Sequence, residues 1–133
     1  MTHSLPVRVY YEDTDLAGIV YYANYLKFIE RGRSEWVRAA GIDQMALRDR
    51  LDVVFAVRRV EADYLRPARF GEDLTVTTAL QDLGGARIVV AQQVLRGEDV
   101  LFRAMVTLVC LTGAGQAVRI PPEVRAALQK PAP

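Results

Sequence analysis

Apolar and polar positions recur along this chain with two different periods, and the switches between them mark out its elements. Residues 7–12 set Val7, Val9 and Tyr11 against Arg8, Tyr10 and Glu12, the two-residue alternation of a strand. Residues 13–18 form a polar loop. From about residue 20 to residue 40 the period lengthens. Tyr21, Tyr25, Phe28, Ile29, Gly32, Trp36 and Ala40 then share one face of a long helix, with Lys27, Glu30, Arg31, Glu35 and Arg38 away from it. Gly41 suits the helix C-terminus, and Asp43 suits the N-cap of a short second helix reaching about Arg50.

The remainder reads as strands. Residues 53–64 place Val54, Ala56, Val60, Ala62 and Tyr64 on one face, and Arg66, Pro67 and Gly71 mark a turn. Residues 74–83 alternate again through Leu74, Val76, Thr78 and Leu80. Gly84-Gly85 signals a hairpin into a strand over 86–96, and Gly97-Glu98-Asp99 turns into a long strand over 100–112. After a loop at 113–116, Pro121-Pro122 opens a C-terminal helix, with Glu123 in the turn where the helix dipole favours an anion. Short hairpins make the later strands antiparallel. The expected class is α+β: one antiparallel sheet of about five strands wrapped on one long helix, as a single domain over residues 1–133. The strand at 100–112 is apolar on both faces. One face fits the helix, and the other predicts contact with a second subunit.

Composition narrows the function classes. A chain of 133 residues fits one domain. With 17 basic and 16 acidic side chains, the net charge of +1 lacks the footprint of a nucleic-acid or membrane-surface binder, yet leaves room for a local basic patch. Cys110 is the single cysteine, so no intrachain disulfide forms and a cytoplasmic setting is expected. Residues 1–6 show no secretory signal, and no apolar run reaches the roughly 18 residues of a membrane span.

Candidate chemistry concentrates before the long helix. Glu12, Asp13 and Asp15 crowd a loop whose far end meets a helix N-terminus, where unpaired N–H groups favour an anion. A carboxylate beside such donors can attack or activate water while the donors stabilise an oxyanion, which suits a thioester carbonyl. The same acids also suit plain turn and cap roles, and Gly18 serves equally a sharp turn or the close approach of a ligand. Asp13-Thr14-Asp15 has a spacing used by aspartyl-phosphate enzymes, but Ala17 stands where those want Thr or Val. A divalent-metal site lacks a second acidic cluster to complete it. His3 is the only histidine and falls in a terminus expected to fray, so a histidine triad or zinc site is disfavoured. Ser4 and Ser34 sit in no nucleophile elbow, and Cys110 reads as core. Arg87, after Gly84-Gly85, suits a phosphate cradle or an ordinary hairpin. Arg58, Arg59, Arg66 and Arg69 suit a polyanion surface or solvated faces.

One run goes further. Tyr11-Glu12-Asp13-Thr14-Asp15-Leu16-Ala17-Gly18-Ile19-Val20-Tyr21-Tyr22-Ala23-Asn24-Tyr25 resembles the signature of the 4-hydroxybenzoyl-CoA thioesterase family of hotdog-fold enzymes, most like its Tol-Pal-associated acyl-CoA thioesterases. Phe28-Ile29-Glu30-Arg31-Gly32-Arg33-Ser34-Glu35-Trp36 and the segment from Tyr64 to Leu74 extend the likeness. The resemblance implies a long helix wrapped by an antiparallel sheet, homodimers often paired into homotetramers, and active sites at subunit interfaces. It implies acyl-CoA substrates and neither metal nor cofactor. By position, Asp15 matches the catalytic carboxylate, as nucleophile or as general base. Tyr22 matches the residue whose backbone N–H polarises the thioester carbonyl. Many Tol-Pal-associated members have His at that position, as this chain does not. Gly18 and Val20 are the implied substrate-groove residues, with Asn24, Glu30 and Arg33 in supporting roles. CoA carries several phosphates and needs a basic patch, for which Arg59 and Arg87 are the candidates. The expected reaction is hydrolysis of acyl-CoA to a carboxylic acid and CoA. The rivals are a dehydratase of the same fold, which would want a histidine, and a non-catalytic acyl-CoA sensor or scaffold.

Overall fold

In the computed structural model, which describes residues 2–130, the apolar stripe of the long helix outruns the helix itself. Helix α1 spans Asn24–Ala39 rather than starting near residue 20, because the N–H groups of Val20 and Tyr21 are taken by the carbonyls of Ala68 and Asp13. Tyr25, Phe28, Ile29, Gly32, Trp36 and Val37 form its buried face. Tyr21, expected on that face, lies ahead of the helix and is 46% exposed. Gly41 takes φ +87° just past the end, the left-handed backbone that glycine adopts at low cost. Asp43 caps α2 (Gln44–Leu51) by accepting from the N–H groups of Met45 and Ala46 at 3.0 and 3.1 Å.

The five strands are β1 (Thr2–Arg8), β2 (Val54–Tyr64), β3 (Asp73–Leu83), β4 (Arg87–Arg96) and β5 (Asp99–Leu111), and α3 (Pro122–Gln129) follows them. They form one antiparallel sheet in the order β1-β3-β4-β5-β2. The two hairpins expected from Gly84-Gly85 and Gly97 join β3 to β4 and β4 to β5. The first strand runs earlier than the alternation at residues 7–12 suggested. Tyr11–Asp13 is instead a 3₁₀ turn, and β1 extends back to Thr2 because β3 offers it a partner. His3 therefore sits in a paired strand opposite Thr78, not in a frayed end. Pro6 is tolerated there because β1 is an edge strand and one missing donor can face solvent.

A bulge between Val57 and Arg59 shifts the register of β2 against β5. Phe55 and Val57 oppose Cys110 and Leu108 before it, while Val60, Ala62 and Tyr64 oppose Val106, Ala104 and Phe102 after it. The expected single face thus splits, with Val54 and Ala56 turned to the opposite side from Val60, since one extra residue reverses a two-residue alternation.

Helix α1 packs on the inner sheet face, where Val76, Val90, Val94, Phe102 and Val106 are fully buried. Burying each large apolar side chain contributes about 1.5–3 kcal/mol. The approach is close enough that a Cβ on Gly32 would lie 2.5 Å from Cγ1 of Val76. Two buried polar groups at this interface, Thr78 and Gln92, satisfy one another. Gln92 Nε2 donates to Thr78 Oγ1 and to the Ile29 carbonyl, both at 2.8 Å, and Arg33 Nη1 donates to Gln92 Oε1 at 3.1 Å. Burial pushes the Arg33 guanidinium below its ordinary range. No helix among the described residues is long and apolar enough to cross a membrane.

Candidate active site

The acidic loop is organised by backbone N–H groups. Asp13 is the buried acid, and its Oδ2 accepts from Tyr10 N–H at 2.8 Å. Its carbonyl accepts from Tyr21 N–H at 3.0 Å and from Asn24 Nδ2 at 2.9 Å, so the side chain of the first helical residue ties the loop to α1. Asp15 is exposed. Its N–H donates to the Ile19 carbonyl at 2.9 Å, and its carbonyl accepts from Gly18 N–H at 3.0 Å, closing a tight turn over 15–18. Gly18 takes φ +78° in that turn, where a Cβ would add strain. Asp15 Oδ1 accepts from Ala17 N–H at 2.9 Å, and Oδ2 has no partner among the described residues. Turn-shaping and a free carboxylate oxygen therefore coexist in Asp15. Leu16 projects fully into solvent beside it.

A second segment braces the turn from behind. Val20 N–H donates to the Ala68 carbonyl at 2.8 Å, and Ile19 bridges Arg69. Ala68 N–H donates to the Tyr25 hydroxyl at 3.0 Å, so α1 holds the brace as well as the loop. An ion pair of Arg96 with Glu72 at 3.0 Å, and Arg69 N–H on Glu72 Oε1 at 2.7 Å, fix residues 69–72. Val20 is only 4% exposed, so its side chain seats the turn on the core instead of lining an open groove.

Between turn and helix lie unpaired donors. Ala23, at the N-cap of α1, offers no side-chain cap. The N–H groups of Tyr22 and Ala23 have no partner among the described residues, at the end of α1 where the dipole is positive. Both neighbouring carbonyls are occupied: Tyr21's accepts from Asn24 N–H at 2.8 Å, and Tyr22's accepts from the Tyr64 hydroxyl at 2.9 Å. The Tyr22 N–H thus lies in the turn entering α1, two residues before the first helical residue.

Within one chain, Asp15, Gly18, Val20 and Tyr22 come together, and Arg59 and Arg87 do not join them. Arg59 stands five residues before Tyr64 on β2, roughly 16 Å along the strand, and pairs with Glu61 at 3.5 Å. Arg87 opens β4 and pairs with Asp82 at 3.0 Å, whereas Arg96, beside the brace, ends that strand about 30 Å away. Glu30 accepts from Ser34 Oγ at 2.9 Å, a contact within α1. Cys110 is fully buried, and burial pushes its thiol up to about 11. The sequence reading missed the hydroxyls of Tyr25 and Tyr64. Tyr25 read as apolar core, yet a buried phenol must find a hydrogen-bond partner, and that requirement was a usable signal.

The thioesterase-like superfamily model matches residues 9–128, from the end of β1 to α3. The chain belongs to this superfamily. It is similar to the acyl-CoA thioesterase YbgC of Haemophilus influenzae, 39% identical over 93% of this chain and 92% of that protein. The acyl-CoA thioester hydrolase YbgC of Escherichia coli is 40% identical over 80% of this chain and 79% of that protein. Among solved structures, a probable thioesterase from Bartonella henselae is 38% identical, with a TM-score of 0.87 over 91% of this chain and 100% of that one. A 4-hydroxybenzoyl CoA thioesterase complexed with 4-hydroxybenzoyl CoA superposes with a TM-score of 0.89 over 96% of this chain and 99% of that one. At 19% identity that likeness speaks for the fold alone. The superfamily's hotdog arrangement, a helix wrapped by an antiparallel sheet, is the one found here.

Proposed function

We propose that the protein hydrolyses acyl-CoA thioesters to a carboxylic acid and free CoA, with Asp15 as the catalytic carboxylate. The observation that carries this reading is the pairing, across one short segment, of a carboxylate with a free oxygen and two unpaired backbone donors at a helix N-terminus. The donors stabilise negative charge as it develops on the thioester oxygen. Asp15 either attacks the carbonyl, expelling the thiolate and leaving an anhydride that water opens, or takes a proton from the attacking water. Both routes yield the acid and CoA thiol. Neither requires a histidine side chain at position 22, where this chain has Tyr. Two relatives near 40% identity that are named for this activity support the reading.

The working unit in this proposal is a homodimer joined through the free edge of β2. That edge is 11 residues long, with Val57, Val60 and Tyr64 exposed beside it, and such an edge calls for a partner. Antiparallel pairing of two β2 strands sets the Val54 end of one beside the Tyr64 end of the other. Arg87 lies at the Val54 end of the sheet, so the partner subunit's Arg87 then approaches the Asp15 loop, where it would bind the CoA phosphates, whereas Arg59, midway along β2, falls opposite its own copy. The pantetheine arm would run between subunits towards Asp15. The outer face of β5, with Met105, Val109 and Leu111 half-buried, is the surface for pairing dimers into a tetramer. One buried, unpaired cysteine fits the cytoplasm as the setting.

A thiol-release assay across short, long and aromatic acyl-CoA substrates tests the activity. Turnover with at least one of them is expected. Measurable CoA binding with no thiol release from any would replace the enzyme by an acyl-CoA sensor.

A further inference from the structure

We propose that Tyr64 is a positioning residue for the reaction: its hydroxyl, by holding the Tyr22 carbonyl, fixes the peptide group that presents the Ala23 N–H, one of the two unpaired donors at the oxyanion site. The inference rests on the thioesterase reading and names a part of that site beyond it.

Leu26 is the third residue of α1, so its N–H has no helical acceptor four residues back and donates to the Ala23 carbonyl at 3.2 Å. The Tyr22 carbonyl is thereby left out of the helical ladder, and the Tyr64 hydroxyl takes it at 2.9 Å across 42 residues of sequence. A trans peptide directs its C=O and N–H to opposite sides. Holding the Tyr22 carbonyl therefore aims the N–H of Ala23 away from Tyr64. The carbonyl of Tyr21, held by Asn24 N–H, constrains the N–H of Tyr22 in the same way. Both donors are left unpaired, and each belongs to a peptide whose carbonyl already accepts a hydrogen bond. Such polarisation strengthens the N–H as a donor.

The Tyr64 side chain is built to hold this contact. Its ring packs edge-on against Phe102 at 4.9 Å and Tyr25 at 5.6 Å, and Tyr22 lies at 6.1 Å. The bulge at 57–59 is what turns Tyr64 to the inner side of β2 opposite Phe102. Burial and the neighbouring tyrosines push its phenol above the ordinary range, so it remains a donor at neutral pH. Without the hydroxyl, the Tyr22–Ala23 peptide is free to rotate, which turns the Ala23 donor away from a bound carbonyl.

Tyr64→Phe keeps the ring and removes only the donor. The expected result is a fall in kcat of about tenfold or more, less than the full loss of an oxyanion donor, with KM within about twofold. A purely structural role would not produce that split. The second readout is the carbonyl stretch of ¹³C-labelled benzoyl-CoA bound to Asp15→Asn, which reports donor strength at the carbonyl and only from folded sites. The stretch should lie at higher frequency in Asp15→Asn/Tyr64→Phe than in Asp15→Asn alone. Unchanged kcat and unchanged frequency in Tyr64→Phe, in a protein that hydrolyses acyl-CoA, would overturn the proposal for Tyr64 and leave the thioesterase reading standing. Failure of the wild-type protein to release thiol would strike the thioesterase reading instead, while the vibrational comparison still decides whether Tyr64 sets the donors.

Discussion

Asp13 and Asp15 are separated by one residue and face opposite environments. Asp13 turns inward to accept the Tyr10 N–H and orders the loop, whereas Asp15 turns outward with one oxygen free. Replacing Asp13 by Ala orphans a partly buried N–H and should cost about 1–2 kcal/mol of stability. Urea unfolding of Asp13→Ala checks this, and a wild-type midpoint would contradict it. Spacing alone made these acids equivalent, because Asp favours turns and caps wherever a loop precedes a helix. The motif resemblance singled out Asp15. Their separate partners became visible only in three dimensions, and the same holds for Tyr64, whose partner lies far away in sequence.

At the scale of elements, period and glycine placement carried most of the information. The stripe from Tyr25 to Trp36, the cap at Asp43 and the hairpin at Gly84-Gly85 all reappear in the structure. What the sequence concealed was set by tertiary pairing: β1 reaching back to Thr2, the bulge in β2, and a helix that starts only at Asn24 because Val20 and Tyr21 bond to Ala68 and Asp13 instead. Gly32 illustrates the limit. Its place on the buried face was legible, but the closeness of Val76 was not, since no periodicity reports an interaxial distance. Gly32→Ala should destabilise the protein by about 1–3 kcal/mol, the usual scale for overpacking. The gain from alanine's better helix propensity is smaller, at about 1 kcal/mol. Thermal unfolding distinguishes the two, and a raised midpoint in Gly32→Ala would show that the helix can lift from β3 without cost.

Over the whole molecule, several weak acids, buried or half-buried, bind their protons more tightly in the fold than in the unfolded chain. Burial raises Cys110 from 9.0 to about 11, and burial likewise raises Tyr25 and Tyr64. A raised acid contributes stability that is complete below its unfolded pKa and is lost as pH climbs through its folded one. Stability should therefore hold below about pH 9 and decline towards pH 11. Urea midpoints compared at mildly and strongly alkaline pH test this, and the decline should shrink in Cys110→Ala. A flat profile across that window would contradict the assignment of burial as the cause. Fold class was legible at this scale, whereas the separation of Arg59 and Arg87 from Asp15 within one chain was not. No period along the chain reports that distance, because the lengths of β2 and β4 set it.

The central claim is that Asp15 performs the chemistry rather than merely shaping its turn. It is tested most directly by kcat for acyl-CoA hydrolysis in Asp15→Asn, measured with the thermal midpoint and acyl-CoA affinity of the same variant. The amide keeps an oxygen to accept the Ala17 N–H, so fold and binding should persist while kcat falls at least about 10²-fold. Turnover near that of the wild-type protein would contradict the account.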